Sequence, residues 1–201
     1  MRIKIKIDKI KNYNKTFFTL NDLTKIFNVK EESLKVTLNR WVKNGRIIRL
    51  RKNVYQFPDK IYDVKKIAFQ LYKPCYLSFE SVLNEYGILS QIPYTLTFAT
   101  INKSKKIILK SQKIEFHQIK ETLFFGYEFR NGIFLAMPEK ALADQIYFVS
   151  RGLAVLNFKE LDLKNVSWKK FNSFVKCYPK STQLLAKEIK LYFGKTAITI
   201  K

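Results

Sequence analysis

The sequence predicts an α+β protein in two parts. Residues 1–60 form a small helical unit closed by a β-hairpin, and residues 61–201 form a larger α+β unit with a mostly antiparallel sheet bracketed by helices. Three observations predict this. Leu20, Leu23, Ile26 and Phe27 recur at helical spacing, as do Leu34, Leu38, Trp41 and Val42 after a break at Asn28 and Val29. Gly45 then stops the helical pattern, and Arg46–Arg51 alternates charge with Ile47, Ile48 and Leu50 before Asn53 turns the chain into Val54, Tyr55 and Phe57. From Thr95 to Ala136, short runs rich in aromatic and β-branched residues follow one another with turn signals between them.

Taken in order, residues 2–13 alternate Ile with Lys, a pattern open to a strand or to a first helix over Lys6–Asn12. Thr19 is a good N-cap for the next helix, with Asp22 at N3 completing a capping box in which Asp replaces Glu, and Asn28 suits a left-handed end. The helix from Glu31 to Asn44 turns Leu34, Leu38, Trp41 and Val42 to one side. Its opposite side carries Ser33, Val36, Arg40 and Lys43, flanked by Lys35 and Thr37. Two short helices, a tight turn and a basic hairpin in this order are the pattern of a winged helix-turn-helix. Such a unit lays its second helix in a DNA major groove and its wing along the backbone.

Beyond the hairpin, Asp59–Lys73 reads as a linking helix ended by Pro74, and Ser78 can cap a helix from Phe79 to Tyr86 stopped by Gly87. Strands are expected over 95–101, 107–110, 114–119, 122–129 and 133–136, with turns at Lys103–Lys106 and Arg130-Asn131-Gly132. Pro138 opens a strong helix, Glu139–Phe148, in which Glu139 suits the first turn and Glu139 or Lys140 can pair with Asp144. Two more helices, 168–177 and 182–193, follow.

Charge points to a partner. The chain of 201 residues carries a formal +22, and 47% of it is apolar, enough to build cores without a metal or disulfides. Residues 1–60 hold 16 Lys and Arg against 5 Asp and Glu, and residues 61–201 hold 22 against 11. Each part is therefore +11, at more than twice the density in the first, which is where a polyanion is expected to bind. Four arginines, Arg40, Arg46, Arg49 and Arg51, fall within twelve residues with Lys52 beside them, and their guanidinium groups are forked donors for phosphate and guanine. The plain alternative for this face is solvated surface, and Glu31 and Glu32 disfavour nearby phosphates.

Catalysis lacks its parts. The one histidine, His117, lies in a predicted strand, no Gly-rich phosphate loop occurs, and Glu188 of a nuclease-like Glu-Ile-Lys lies in a helical pattern with no spacing that selects Asp144 or Asp162 as its partner. No enzyme and no cofactor or metal is expected. Cys75 and Cys177 read as reduced, mostly buried thiols. No apolar run of 18 residues occurs and the N-terminus lacks a signal-peptide pattern, so a soluble, cytoplasmic protein without membrane contact is expected.

The chain resembles the AbiEi family of antitoxins from type IV toxin-antitoxin, or abortive-infection, systems. The resemblance covers roughly residues 15–193. It rests on Arg51-Lys52-Asn53-Val54-Tyr55 closing the hairpin, on Tyr76–Leu83 and on Met137–Asp144. Two positions depart from the family: Asn53 stands where glycine is usual, and Lys30 where a Ser or Thr cap is usual. The resemblance implies an N-terminal winged helix that binds inverted repeats upstream of its own operon and represses it. It also implies a C-terminal domain that counters a co-encoded nucleotidyltransferase-like toxin without a stable complex. By carry-over, Ser33, Lys35, Thr37 and Arg40 would read or position DNA, with Val36, Lys43 and Arg46 on the same surface, and Arg49, Arg51 and Lys52 would clamp phosphates. For antitoxicity, Lys103, Lys105, Lys106, Arg130 and Lys140 are candidates only as cations near expected turns or a helix start. A monomer that pairs on its operator is expected. The alternative is a stand-alone regulator whose C-terminal domain senses a ligand or dimerises.

Overall fold

The computed structural model describes residues 7–11, 13 and 15–196. Its packing divides the described chain into two compact units, one running to Ile67 and including Ile108–Ser111, the other made of Ala68–Ile107 and the residues from Gln112 onward. The first unit thus extends past residue 60, and the division falls within helix α4, Val64–Leu71, which is shorter than the linking helix expected over Asp59–Lys73.

In the first unit, α1 (Asp8–Lys11), β1 (Phe18–Thr19), α2 (Leu20–Phe27) and α3 (Glu31–Lys43) precede the hairpin of β2 (Ile48–Arg51) and β3 (Val54–Gln56). Of the first helix expected, Lys6 and Asn12 lie outside the described residues. Thr19 and Asp22 form the reciprocal capping box: Thr19 Oγ1 accepts from the Asp22 amide at 3.1 Å, and Asp22 Oδ2 accepts from the Thr19 amide at 2.8 Å. Asn28 ends α2 at φ 50°, where a side chain that tolerates the left-handed region is needed. Lys30 gives α3 no side-chain cap. The two-residue turn of the hairpin rests on Asn53 at φ 64°, which supplies the conformation glycine would otherwise provide.

Strand β1 was not apparent from the sequence, because two residues carry no period. Phe18 pairs opposite Tyr55 and Thr19 opposite Val54, giving an antiparallel sheet of order β1-β3-β2. Ile10, Phe18, Leu20, Leu23, Leu34, Leu38, Trp41, Ile47, Tyr55 and Phe57 fill the core under it. Leu34 and Leu38 are fully buried, and truncating either to Ala costs about 2–5 kcal/mol. That burial fixes which face of α3 remains outside.

The larger sheet has six strands in the order β6-β7-β5-β4-β9-β8, built from β4 (Cys75–Leu77), β5 (Thr95–Thr100), β6 (Lys105–Leu109), β7 (Gln112–Gln118), β8 (Tyr127–Arg130) and β9 (Ile133–Ala136). The sheet is mixed, which corrects the expectation of a mostly antiparallel one. β4 pairs antiparallel with β5 but parallel with β9, and β5 pairs parallel with β7. The reason is connectivity: the chain leaving β5 runs out through edge strand β6 and returns as β7, a connection long enough to bring it back parallel. Lys105 and Lys106 therefore belong to β6 rather than to a turn, and the β6–β7 turn is at Lys110, φ 51°. The expected strand over 122–129 is a short 3-10 turn, Glu121–Leu123, followed by β8.

Helix α5 (Phe79–Glu85) follows β4, and α6 (Pro138–Val149) follows β9. Every residue of α6 from Glu139 to Phe148 is buried, so it is a central helix packed on all sides, with α7 (Trp168–Val175) and α8 (Lys180–Thr196) against it. Ser78 precedes α5 but makes no side-chain cap, against expectation. Of the cysteines, Cys75 is buried, with burial pushing its thiol up to about 12, whereas Cys177 is exposed, correcting the reading of both as buried.

Candidate functional site

The unburied face of α3 and the hairpin beside it gather the residues that the sequence assigned to DNA. Val36 and Thr37 stand three and four residues after Ser33 and four and three before Arg40, so the four form one stripe. Ser33, Val36 and Arg40 are exposed and Thr37 is half-buried, its hydroxyl donating back to the Ser33 carbonyl at 3.2 Å. Val36 is 54% exposed, an apolar group placed among polar ones. Lys43, Arg46, Arg49 and Lys52 are exposed and Arg51 is half-buried. Among the described residues no carboxylate pairs with Arg40, Lys43, Arg46 or Lys52.

Two residues are already engaged. Lys35 Nζ lies 2.5 Å from Glu31 Oε1, one turn earlier, and that hydrogen bond raises the lysine above its ordinary range. Its charge is partly spent within α3. Arg49 donates to the Asn39 side chain and lies with its guanidinium carbon 5.7 Å from the Tyr55 ring centre, so it ties the hairpin to α3. Between Arg49 and Arg51 the register slips, Arg49 facing Tyr55 and Arg51 facing Val54. The irregularity places both arginines next to one short stretch of β3. Asn39 was missed by sequence reasoning; nothing in the sequence pairs an asparagine with an arginine ten positions away.

In the second unit the candidate cations behave differently. Lys140 is not at the surface: it is fully buried on α6 and forms an ion pair with Asp144, one turn later and equally buried. The i,i+4 pairing was legible in the sequence, but the rest of the cluster was not. Asp144 Oδ2 also accepts from Tyr76 at 2.9 Å and from Ser78 at 2.8 Å, while Oδ1 accepts from Tyr178 at 2.6 Å. Ser78 thus uses on Asp144 the hydroxyl expected to cap α5. The Lys140 ammonium also donates to Tyr178 and lies 5.0 Å from the Phe125 ring centre.

Burial pulls Lys140 below the ordinary lysine range against the attraction of Asp144, and burial, then the Asp144 charge, pushes Tyr76 and Tyr178 well above the phenol range. Gly126, at φ 73°, passes so near that an added Cβ would stand 3.1 Å from the Lys140 stem. No outside ligand can reach this cluster. It is a structural node.

The other candidates are surface cations. Lys103 is exposed; Lys105 Nζ stands 4.6 Å from the Tyr72 ring centre; Lys106 pairs with Glu115 at 2.9 Å; Arg130 donates twice to Glu128, at 3.0 and 2.8 Å. The structure does not bring them together with Lys140. His117 is half-buried between Phe79 and Phe148, each ring 5.1 Å away, and burial lowers its pKa against Glu115 and Glu80. Glu188 is exposed on α8, and Asp162 is bound to Lys164. Among the described residues no group of three or more His, Cys, Asp or Glu is placed to hold a metal ion, and no helix is long and apolar enough to cross a membrane. No model of a known family and no curated protein matches the chain.

Proposed function

We propose that the protein is a DNA-binding antitoxin of the AbiEi type. Its first unit is a winged helix-turn-helix that binds inverted repeats in its own promoter and represses it, as a monomer that pairs on the DNA. Its larger unit counters a co-encoded nucleotidyltransferase-like toxin without a stable complex, and no catalytic step is assigned to it. The observation that carries the DNA-binding half is the stripe of exposed Ser33, Val36 and Arg40 with half-buried Thr37 among them, continued by Lys43, Arg46 and Lys52 with no carboxylate among the described residues to neutralise them. On a major groove this stripe offers a guanidinium for guanine, hydroxyls for phosphate or base edges, and an isopropyl group for a thymine methyl. Arg49 and Asn39 hold the hairpin in register with α3, so the wing's cations present themselves as part of the same surface.

The test uses the full chain and a duplex carrying the upstream repeat. Affinity falls steeply with salt, and Arg40→Ala costs about 1–3 kcal/mol of binding if Arg40 reads a base. In cells expressing the neighbouring toxin, an Arg40→Ala/Lys43→Ala chain that no longer represses still restores growth. An Arg40→Ala protein that binds as tightly as wild type overturns the groove assignment, and failure of the intact chain to protect against that toxin overturns the antitoxin assignment. A second reading, a stand-alone regulator whose larger unit senses a ligand, is favoured by one observation, an open cavity beside Gln145.

A further inference from the structure

That cavity, of about 340 Å3, lies wholly within the second unit, and its charge is opposite to that of the chain as a whole. In a protein of formal charge +22, Glu80 and Glu115 line it together with Gln145 and His117. Gln145 is 1% exposed and its amide donates to Glu80 Oε1 at 2.5 Å. Turning the amide over would press its carbonyl against the carboxylate, so the orientation is fixed. It leaves Gln145 Oε1 as the buried side-chain polar atom with no partner among the described residues. Gln145 lines the cavity, and its buried acceptor is left without a donor.

The surroundings narrow the donor further. Phe79 and Phe148, 4.9 Å apart, give the site an aromatic wall, and Phe79 holds φ 56°, a conformation that bulky residues avoid and that the fold must enforce. Tyr94, 96% exposed, and Val155, 92% exposed, also line the cavity. Part of the Glu115 charge is used by Lys106, but Glu80 has no cation partner among the described residues.

We propose that this cavity binds a guanidinium group on an apolar stem. A planar cation with five N–H donors can satisfy Glu80, Glu115 and Gln145 Oε1 together and lie against an aromatic ring, while its stem passes over Tyr94 and Val155. A phosphate is repelled by the same two carboxylates. The guanidinium can come from a free small molecule or from an arginine side chain of a protein partner.

Calorimetric titration of the full chain distinguishes these, using agmatine and a capped Leu-Arg-Leu peptide, with putrescine and inorganic phosphate as controls. One of the guanidinium probes saturates at one site per chain, at least tenfold more tightly than putrescine, and phosphate does not compete. Agmatine binding as tightly as the peptide assigns a small molecule; a peptide at least tenfold tighter assigns a protein arginine. Glu80→Gln and, separately, Glu115→Gln each weaken binding at least tenfold while operator affinity is unchanged. No saturable binding by either probe, competition by phosphate, or affinity unaltered in both variants overturns the proposal.

Discussion

The cations of α3 and its hairpin and the one at the centre of α6 are similar groups in opposite surroundings. Arg40, Lys43, Arg46 and Lys52 stand in water without carboxylate partners among the described residues, so the fold gains little from them and they remain free to meet an anion. Lys140 is shut away with Asp144, Tyr76, Ser78 and Tyr178, and every polar atom it could leave unsatisfied is met. A charge held outside is available for function, and a charge buried in a complete network specifies structure. Fold stability and DNA affinity should therefore separate cleanly between the two sets.

The largest effect is expected at Asp144. Asp144→Ala strands the buried ammonium and three hydroxyl groups, costing about 3–5 kcal/mol in denaturant unfolding. Lys140→Met leaves Asp144 its three hydroxyl donors and costs less; an equal or greater loss would place the ammonium, not the carboxylate, at the centre of the network. A pH titration probes the same node. Tyr76 and Tyr178 keep their protons well above the pH near 10 at which unfolded tyrosines ionise, so above that pH the folded state binds more protons and stability falls as pH rises. Lys140, pulled down by burial, acts in the other direction, but only below its ordinary value of 10.5; above that pH both states have lost its proton and the phenols act alone. Each phenol contributes up to about 1.4 kcal/mol per pH unit. Tyr178→Phe is expected to make the alkaline decline shallower, and an unaltered slope would show that Tyr178 does not contribute.

In α3, Arg40→Ala is expected to leave unfolding within about 0.5 kcal/mol of wild type, because it removes an exposed side chain. The smallest effect belongs to Lys52→Ala, which lowers the salt dependence of DNA binding by about one phosphate contact without changing sequence preference. A loss of folding stability in either variant would mean that these cations are structural, like Lys140.

Local rules made the first unit legible. Thr19, Asp22, Asn28, Gly45 and Asn53 are each read by a neighbour within a few residues, so the cap, the left-handed ends and the hairpin turn could be placed from sequence. Strand β1 escaped because Phe18 and Thr19 gain their identity only from Tyr55 and Val54. The second unit depends on distance. The parallel pairing of Leu77 with Leu135, and the hydrogen bonds that Tyr76 and Ser78 donate to Asp144 more than sixty positions later, leave no periodic trace in either segment. Lys140 shows the same limit most sharply: a lysine beside an expected helix start reads as surface until the chain that covers it is known.

If the cations of α3 and its hairpin neutralise DNA phosphates, operator binding must depend steeply on salt. Operator affinity measured between roughly 50 and 200 mM salt should fall linearly on logarithmic axes, with a slope of about −0.9 for each phosphate contacted, and Arg40→Ala/Lys43→Ala should flatten it. A slope near zero, or one that this double variant does not change, would show that these cations do not meet phosphates.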